Sequence, residues 1–584
     1  MSGELHALRH LAAYLEAAGQ NARLHRLLLA DREWMDRKLA ALEDDGAYLG
    51  DIAIALRQFE DPLTPSGLLV VAQLFAARLV VRLRGESYAE DDLIVLTLEG
   101  RVKMALARAR LRVAPEKRCG DLLAIHRVLR RRGQADRDLL DEIRDRAFAV
   151  ENDRERAYAF AALGEEAALS GFPVPARAAF DKAADALALM GPSLLDRIWV
   201  LQVLAGTQAR AGFYPDALAA LRAIHHPFYL AWTAADMAPL APESGARARL
   251  LTQAESLAAR LEDPGQEIWV LKRILLSSIS MGADTEVRRL LRKLRELAAT
   301  SGGDRAIQAL AIGFAAMGRC QKAGNALQDL REGWARGEAL KAIAVAWGKG
   351  AHWYRAERTV DTIEKPVDRR ATLRQLAVLA AEEGAFREAR HLLKKARMEV
   401  SDGTIPPSRR LSLSAGLQND ASAPPEQDRL QASASEAVRL AESGNEVAAR
   451  NLLRQLETTV PITTFSEASV WQTLAIAHAR LGERERAFEI LQDLAQIRRL
   501  PVLDNLNRRE EARKAARAAA ECGAFLLAFE MLEELPSDLF SGELALCAGA
   551  FERLSPGLAA TVKTEVARIL GWSSSPGEIP ERSP

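Results

Sequence analysis

The sequence is poor in aromatic residues, in cysteine and in net charge. Aromatic residues make up 5% of its 584 residues, and Lys plus Arg equals Asp plus Glu at 79 each. This balance argues against a global field that would attract nucleic acid or an anionic membrane. No CxxC pair occurs, so neither a disulfide framework nor a zinc ribbon is indicated, and a reducing cytoplasm fits. The cysteines are Cys119, Cys320, Cys522 and Cys547.

Long apolar runs and catalytic signatures are also missing. The richest apolar run, Gly67 to Leu83, is interrupted by Gln73, Arg78 and Arg82, and the start MSGELHALRH lacks the apolar segment of a signal peptide. There is no HExxH, no GxSxG and no GxGxxG after a predicted strand. We therefore expect a soluble cytoplasmic protein with no enzymatic activity, no cofactor, no metal and no membrane partner. Arg outnumbers Lys, a bias that we attribute to a GC-rich bacterial genome.

What the sequence has is a repeat. Hydrophobic residues make up 49% of the chain, with Ala and Leu abundant, which favours helices. A glycine is followed five residues later by alanine and nine residues later by a large apolar residue, and is preceded by a small residue at seven. The glycines that fit this template are Gly171, Gly212, Gly318, Gly384, Gly444, Gly482 and Gly523.

The template predicts pairs of short antiparallel helices. Glycine suits the tight turn between them, because it adopts a left-handed backbone at little cost. The small residues let the two helix backbones approach closely, and the large apolar residue fills the seam between them. One such hairpin cannot bury its apolar face alone, so neighbouring hairpins must stack.

This pattern resembles the tetratricopeptide repeat (TPR), in which a small residue, a turn glycine, a second-helix alanine and a following aromatic residue or leucine have the same spacing. Weaker copies around Gly245, Gly282 and Ala351 bring the array to about ten repeats, from Ala157 to Phe540. The resemblance implies an all-α fold, a helix-turn-helix repeat solenoid wound as a right-handed superhelix.

The spacing of the repeats also predicts the domain organisation. One spacing is overlong and contains a segment rich in Ser, Pro, Gly and Asn, which we interpret as a flexible, protease-sensitive insertion. The predicted segments are an amino-terminal helical region (1–150), a first repeat array (151–400), the insertion (401–428), a second array (429–542), capping helices (543–572) and a disordered tail (573–584).

The first helices carry a second resemblance. The segment LRHLAAYLEAAGQNARLHRLLLADREWMDRKLAAL, with its histidine, tyrosine, HRLLL and tryptophan, resembles the helical stretch that follows the nucleotide-binding module of bacterial STAND-class signalling ATPases. Those proteins often carry TPR-like sensor repeats downstream. No GxxxxGK[ST] occurs in this chain, however, so the resemblance implies a sensor half without its own ATPase.

Several charged groups have simple structural interpretations. His6 and His10 lie one turn apart but have no third ligand nearby, so we interpret them as surface histidines. The acidic pairs Asp44–Asp45 and Asp91–Asp92 precede predicted helices or occupy loops, where the dipole at a helix N-terminus explains their negative charge without chemistry. The cluster Arg127, Arg130, Arg131 and Arg132 closes a helix before Gly133, where cations are favoured for the same reason.

The template predicts which residues line the concave groove. In TPR arrays, two positions of each first helix face the groove, and they lie here thirteen and ten residues before the turn. The first position predicts an aromatic row, and the second predicts a ladder of hydrogen-bond donors. The alternative for the tryptophans is that they only pack between repeats, and for the donors that they are ordinary solvated side chains. The predicted partner-binding residues are Tyr158, Trp199, Gln202, Trp232, Trp269, Lys272, Gln308, Lys341 and Arg374.

These observations favour a protein-binding scaffold or adaptor whose groove holds an extended peptide or partner protein with apolar anchors and with carboxylate or acidic groups. The alternative is the ligand-sensing half of a split STAND-like signalling system. An RNA-binding array of the pentatricopeptide kind should be basic, and the sequence pI of about 7.2 argues against nucleic acid.

Overall fold

The computed structural model describes residues 2–42, 44, 46–112, 114–191, 194–300, 303–330, 333–399, 425–460, 468–498, 505–533 and 537–574. Within these ranges the chain forms helices and no β-strand, which confirms the predicted all-α solenoid. The chain divides into two compact units. The terminal unit comprises Met1–Tyr88, Arg110–Val113 and Leu411–Pro584, and the ring unit comprises Ala89–Ala109 and Ala114–Arg410.

The described α-helices, in chain order, are α1 (Ser2–Ala17), α2 (Asn21–Leu29), α3 (Glu33–Leu42), α4 (Gly46–Leu56), α5 (Pro65–Ser87), α6 (Glu90–Leu98), α7 (Val102–Arg110), α8 (Pro115–Arg131), α9 (Arg137–Phe148), α10 (Asp153–Leu169), α11 (Pro173–Leu189), α12 (Leu194–Arg210), α13 (Tyr214–Arg222), α14 (Pro227–Met237), α15 (Ser244–Ala258), α16 (Pro264–Ser280), α17 (Asp284–Thr300), α18 (Gly303–Ala316), α19 (Cys320–Ala326), α20 (Gly333–Lys349), α21 (Trp353–Asp361), α22 (Pro366–Glu382), α23 (Phe386–Met398), α24 (Pro425–Glu442), α25 (Glu446–Thr459), α26 (Ala468–Arg480), α27 (Arg484–Arg498), α28 (Asn505–Glu521), α29 (Phe525–Glu533), α30 (Ser537–Leu544), α31 (Ala548–Leu554) and α32 (Leu558–Leu570).

The turn glycines lie where the template predicts them. Each of the template glycines has a positive φ, as do Gly282 and even Ala351 (φ 56°) in the weaker copies. At Gly212 (φ 84°) the next residue, Phe213, donates its N–H to the carbonyl of Gln208 at 2.8 Å, the bond of a Schellman motif. The anchor at Gly245 is wrong, because Gly245 lies inside α15 and the preceding helix α14 already ends at Met237.

The small and large positions of the template form the seams between paired helices. The alanine after each turn glycine is buried, and so is the apolar residue one turn later. In the first copy, a Cβ on Gly164 would lie 2.9 Å from a ring carbon of Phe180. The small first-helix residue therefore makes room for the large second-helix residue, as predicted.

Ala217, on α13, provides a test of this packing. It is fully buried, so Ala217→Phe should overpack the seam with α12 and lower the free energy of unfolding by about 1 to 3 kcal/mol. The matched control is Ala219→Phe, which changes an exposed residue of the same helix and should cost well under that amount. Urea unfolding measures both variants. Equal stabilities for the two would contradict the seam.

The even-numbered helices of the ring unit form a closed layer. Each of α6 to α20 packs against the next even-numbered helix, and α22 packs back against α6. From α8 onward, each odd-numbered helix packs on the even-numbered helix that precedes it. Neighbouring helices of a ring lie closest together on its inner side, so we assign the even-numbered helices to the inner layer and the odd-numbered helices to the outer layer.

Ion pairs strengthen the closure of this layer. Arg397 donates to Asp92 at 2.9 Å, and Arg131 donates to Glu382 at 2.7 Å. Asp92 also accepts the N–H of Ala89 at the start of α6, so the predicted helix-start role of this acidic pair is joined by a role in closure. The arginine cluster at the end of α8 does more than complement a helix dipole, because Arg132, the residue after the helix, also donates to the carbonyls of Thr97 and Leu98 at the end of α6.

The terminal unit is organised around α5. This helix is long and apolar enough to cross a membrane, yet 61% of its most apolar window is buried inside the structure, as in the core helix of a soluble protein. Its polar interruptions meet carboxylates of the carboxy-terminal helices. Gln73 donates to Glu565 at 2.8 Å, and both Arg78 and Arg82 lie 3.0 Å from Glu533.

Each of the two compact units combines segments that are far apart in the sequence. Residues 1–88 belong with the second array, whereas most of 89–150 belongs with the first array. Residues 401–424 of the predicted insertion and 575–584 of the predicted tail lie outside the described residues, and α24 already begins at Pro425, within the predicted insertion. All four cysteines are buried free thiols.

Candidate functional site

The predicted partner-binding residues all lie on even-numbered helices of the ring unit. They occupy α10 (Tyr158), α12 (Trp199 and Gln202), α14 (Trp232), α16 (Trp269 and Lys272), α18 (Gln308), α20 (Lys341) and α22 (Arg374). They therefore share the layer that we assign to the inside of the ring, although only some of them contact one another.

An aromatic cluster joins α14, α16 and α20. The ring centroids of Trp232 and Trp269 lie 6.3 Å apart, and Phe228 lies 5.8 Å from Trp232. Trp334 stacks on Trp269 with centroids 6.2 Å apart, and it is 41% exposed. We call Phe228, Trp232, Trp269 and Trp334 the aromatic cluster.

Phe228 and Trp334 were not predicted from the sequence. Phe228 precedes Trp232 by one helical turn and so shares its face, a signal that the template did not use. Trp334 lies in the first turn of its helix, at a level that the template did not sample.

Tyr158 and Trp199 stand apart from this cluster. Trp199 is 40% exposed and lies under the guanidinium of Arg154, which is 6.0 Å from its ring centroid. Burial raises the pKa of the Tyr158 hydroxyl. Among the described residues, neither ring has a contact with the aromatic cluster.

The cations of the predicted donor ladder already have carboxylates of the same chain as neighbours. Lys341 donates to Asp368 at 3.0 Å and also lies 2.5 Å from Glu338. Burial lowers the pKa of Lys272, and the charge of Glu338 offsets only part of this effect. Burial raises the pKa of the Asp91 carboxyl, and the nearby charge of Arg374 offsets only part of this effect. These cations therefore face carboxylates before any partner binds.

Gln308 does not line an open surface. It is 1% exposed, and Ala309, Leu310 and Ala311 after it are buried as well. Four consecutive buried residues cover more than one turn, so α18 is enclosed on all sides at this level by its neighbours. The repeat template predicts how far along its helix a residue lies, but it does not predict how tightly the neighbouring helices pack. Gln308 is buried by that packing and is not available to a partner.

A cavity of about 540 Å³ opens between α12, α14 and α16. It exists because α14 has 11 residues, whereas α12 and α16 have 17 each. Pro239 lacks the N–H that would continue α14 by binding the carbonyl of Ala235. The hydroxyl of Ser277 donates to that carbonyl instead, at 2.8 Å. The shortened helix thus leaves space between two longer ones.

The cavity wall combines paired charges with apolar surface. Arg210 donates from Nε and Nη2 to Glu165 at 2.6 and 2.9 Å. Arg273 donates from the same two nitrogens to Asp236. Gln202 donates its amide to the hydroxyl of Thr233 at 3.0 Å. Trp232, Leu276 and Met237 supply apolar surface.

The remaining candidates from the sequence are the two histidines of α1. His6 and His10 are exposed, and the His6 ring nitrogen lies 2.9 Å from the hydroxyl of Tyr14. No group of three or more potential metal ligands occurs among the residues that the structure describes.

Comparison with known proteins adds little to this geometry. No protein-family model and no curated protein matches the chain. The crystal structure of Ton1535 from Thermococcus onnurineus NA1 aligns with 57% of this chain and 95% of its own, at 17% identity and a TM-score of 0.23. A circular tandem repeat protein with novel repeat topology and enhanced subunit contact surfaces aligns over 97% of this chain and 98% of its own, at 14% identity and a TM-score of 0.10. Such low TM-scores carry no argument about function.

Proposed function

We propose that this protein is a non-enzymatic scaffold that holds a protein or peptide partner on the inner layer of its helical repeats. The observation that carries the proposal is the aromatic cluster, which spans three inner helices and leaves Trp334 substantially exposed. Large rigid aromatic side chains contribute contact area with little loss of conformational entropy, and they are enriched at binding hot spots. The resemblance to TPR arrays, which bind extended peptides in the groove, supports the same interpretation.

The partner that this surface favours carries an apolar anchor. Because Lys341 and Arg374 already face carboxylates, acidic groups on the partner would compete with Asp368 and Asp91 for these cations. Such exchange contributes little net free energy, and it is screened by salt. We therefore assign affinity mainly to the aromatic cluster and only a secondary part to carboxylates of the partner.

A selection of peptides tests this proposal without knowledge of the natural partner. A phage-displayed library of random peptides is selected on the purified chain, and the affinities of the enriched peptides are then measured by fluorescence anisotropy. Trp334→Ala should weaken binding by roughly 30-fold, which corresponds to about 2 kcal/mol. Trp334 lies in the first turn of α20, so its truncation should leave the fold intact.

The matched control is Tyr354→Ala on the outer helix α21, where the tyrosine is 72% exposed. This variant should bind the selected peptides like the unmodified chain. Peptides that lose affinity with Tyr354→Ala but not with Trp334→Ala would place the binding surface elsewhere. Co-purification of a separate P-loop ATPase from the native cell would instead favour the sensor half of a split STAND-like system.

A further inference from the structure

The cavity between α12, α14 and α16 has the size and the chemistry of a small-molecule site. Its volume of about 540 Å³ falls within the range of roughly 300 to 1,000 Å³ that such sites occupy. The unused hydrogen-bonding groups of its wall then decide which ligand it would take.

Both arginines of the wall can donate a hydrogen bond from Nη1. Nε and Nη2 of Arg210 bind Glu165, and Nε and Nη2 of Arg273 bind Asp236. In the described part of the chain, Nη1 of each arginine has no hydrogen-bond partner, and the guanidinium of Arg273 also lies over the ring of Trp232, 5.6 Å from its centroid. Two N–H donor groups are thus available, each held in place by a bidentate ion pair that fixes the plane of the guanidinium.

Acceptors lie beside these donors. The Nε2 of Gln202 is used by Thr233, and Oε1 of the same amide has no partner among the described residues. The hydroxyl of Ser280 donates to the carbonyl of Ser277 at 2.8 Å, which leaves its oxygen able to accept. Asp236, which also lines the cavity, retains further lone pairs beyond those that Arg273 uses.

Each arginine of the wall is paired with a carboxylate. Asp236 lines the cavity beside Arg273, whereas Glu165 pairs with Arg210 from α10 without lining the cavity. A bound anion would therefore gain attraction from the two arginines but repulsion from the two carboxylates. A bound cation would be attracted by the two carboxylates and repelled by the two arginines. A hydroxyl group both donates and accepts, so it can use an Nη1 donor and a neighbouring oxygen acceptor without adding charge.

We propose that this cavity binds a neutral, polyhydroxylated small molecule of the size of one or two sugar rings, with its hydroxyl groups on Arg210, Arg273 and Gln202 and its less polar face toward Trp232. The cavity shares Gln202 and Trp232 with the proposed partner surface, but this inference does not rest on partner binding. A chain that binds no protein would still bind the sugar.

The test is isothermal titration calorimetry of the purified full chain with maltose, cellobiose and N-acetylglucosamine as neutral probes. Glucuronate and glucosamine serve as charged probes of similar shape. At least one neutral probe should bind saturably in the millimolar range or tighter, and more tightly than both charged probes. Failure of all three neutral probes to bind, or tighter binding of a charged probe, would overturn the proposal.

Gly206 provides the variant that locates the site. It lines the cavity on α12, and a Cβ at this position would meet only the guanidinium of Arg210, at 3.4 Å for Nη1. Gly206→Phe should fill the cavity and weaken sugar binding at least tenfold, whereas the control variant Ala219→Phe, at an exposed residue of α13 outside the cavity, should keep it. Circular dichroism checks that both variants fold. A folded Gly206→Phe that binds the sugar normally would show that the sugar binds elsewhere.

Discussion

Replacing Glu166 with alanine should destabilise the ring unit by about 3 to 5 kcal/mol, the cost of removing one partner from a buried charged group. Glu166 lies on α10 and is 1% exposed, and His126 on α8 is fully buried. Nδ1 of His126 donates to Glu166 at 2.9 Å, and Nε of Arg130 donates to the same carboxylate oxygen at 2.8 Å. The alanine variant leaves the buried His126 without its acceptor, and it leaves Arg130, whose side chain is 23% exposed, without its charged partner.

The neighbouring glutamate is the matched control. Glu165 pairs with Arg210 through two hydrogen bonds, but this arginine is exposed. Glu165→Ala should therefore cost less than about 1 kcal/mol, as exposed ion pairs usually do. Urea unfolding followed by circular dichroism gives the free energy of unfolding of each variant. Equal losses at the two positions would contradict the assignment of Glu166 as the buried centre of the α8–α10 contact.

The same carboxylate makes stability depend on pH. Burial raises the pKa of Glu166, but the hydrogen bonds from His126 and Arg130 outweigh burial and hold the pKa below the ordinary value of 4.5. The unfolded chain therefore takes up this proton at a higher pH than the folded chain does. The stability contributed by Glu166 is complete above the ordinary value and is lost as the pH falls through the folded pKa. In Glu166→Gln, that part of the acid destabilisation should disappear.

The sequence predicted the parts of the fold that depend on short spacing. The turn glycine, the buried alanine and the apolar residue after it lie within one helical hairpin, so a single chain segment displays all three. The closure of the ring at α6 joins residues far apart in sequence, such as Asp92 on α6 and Arg397 on α23, and no local pattern records it. The pairing of α5 with the carboxy-terminal helices is hidden for the same reason.

The candidate site shows the same division. The template assigned Trp232 and Trp269 to the same inner layer, where they are in contact. It could not predict that Lys341 donates to Asp368 on the next inner helix, or that packing on all sides buries Gln308. The cavity depends on the early end of α14 at Met237, and the misplaced anchor at Gly245 is the point where the sequence pattern failed.

A buried ion pair also occurs in the terminal unit, between Lys38 and Asp51. The variant Asp51→Ala should break it and lower the free energy of unfolding by about 3 to 5 kcal/mol. Lys38 on α3 and Asp51 on α4 are 2% and 3% exposed, and Nζ donates to the carboxylate at 2.6 Å. The indole N–H of Trp34 donates to the other carboxylate oxygen at 3.1 Å. Without Asp51, a buried ammonium and a buried indole N–H both lose their acceptor.

The double variant Lys38→Met with Asp51→Leu separates the cost of breaking the pair from its net value. Burial raises the pKa of Asp51 even though Lys38 and Trp34 donate to it, so removal of the carboxylate from water outweighs the attraction of its partners. An apolar pair of similar size should therefore recover most of the loss, as buried ion pairs often gain little over hydrophobic contacts. The free energy of unfolding of the double variant should lie within about 1 kcal/mol of the original chain. A double variant as unstable as Asp51→Ala would mean that the pair contributes net stability, and that its desolvation is smaller than the burial of both side chains implies.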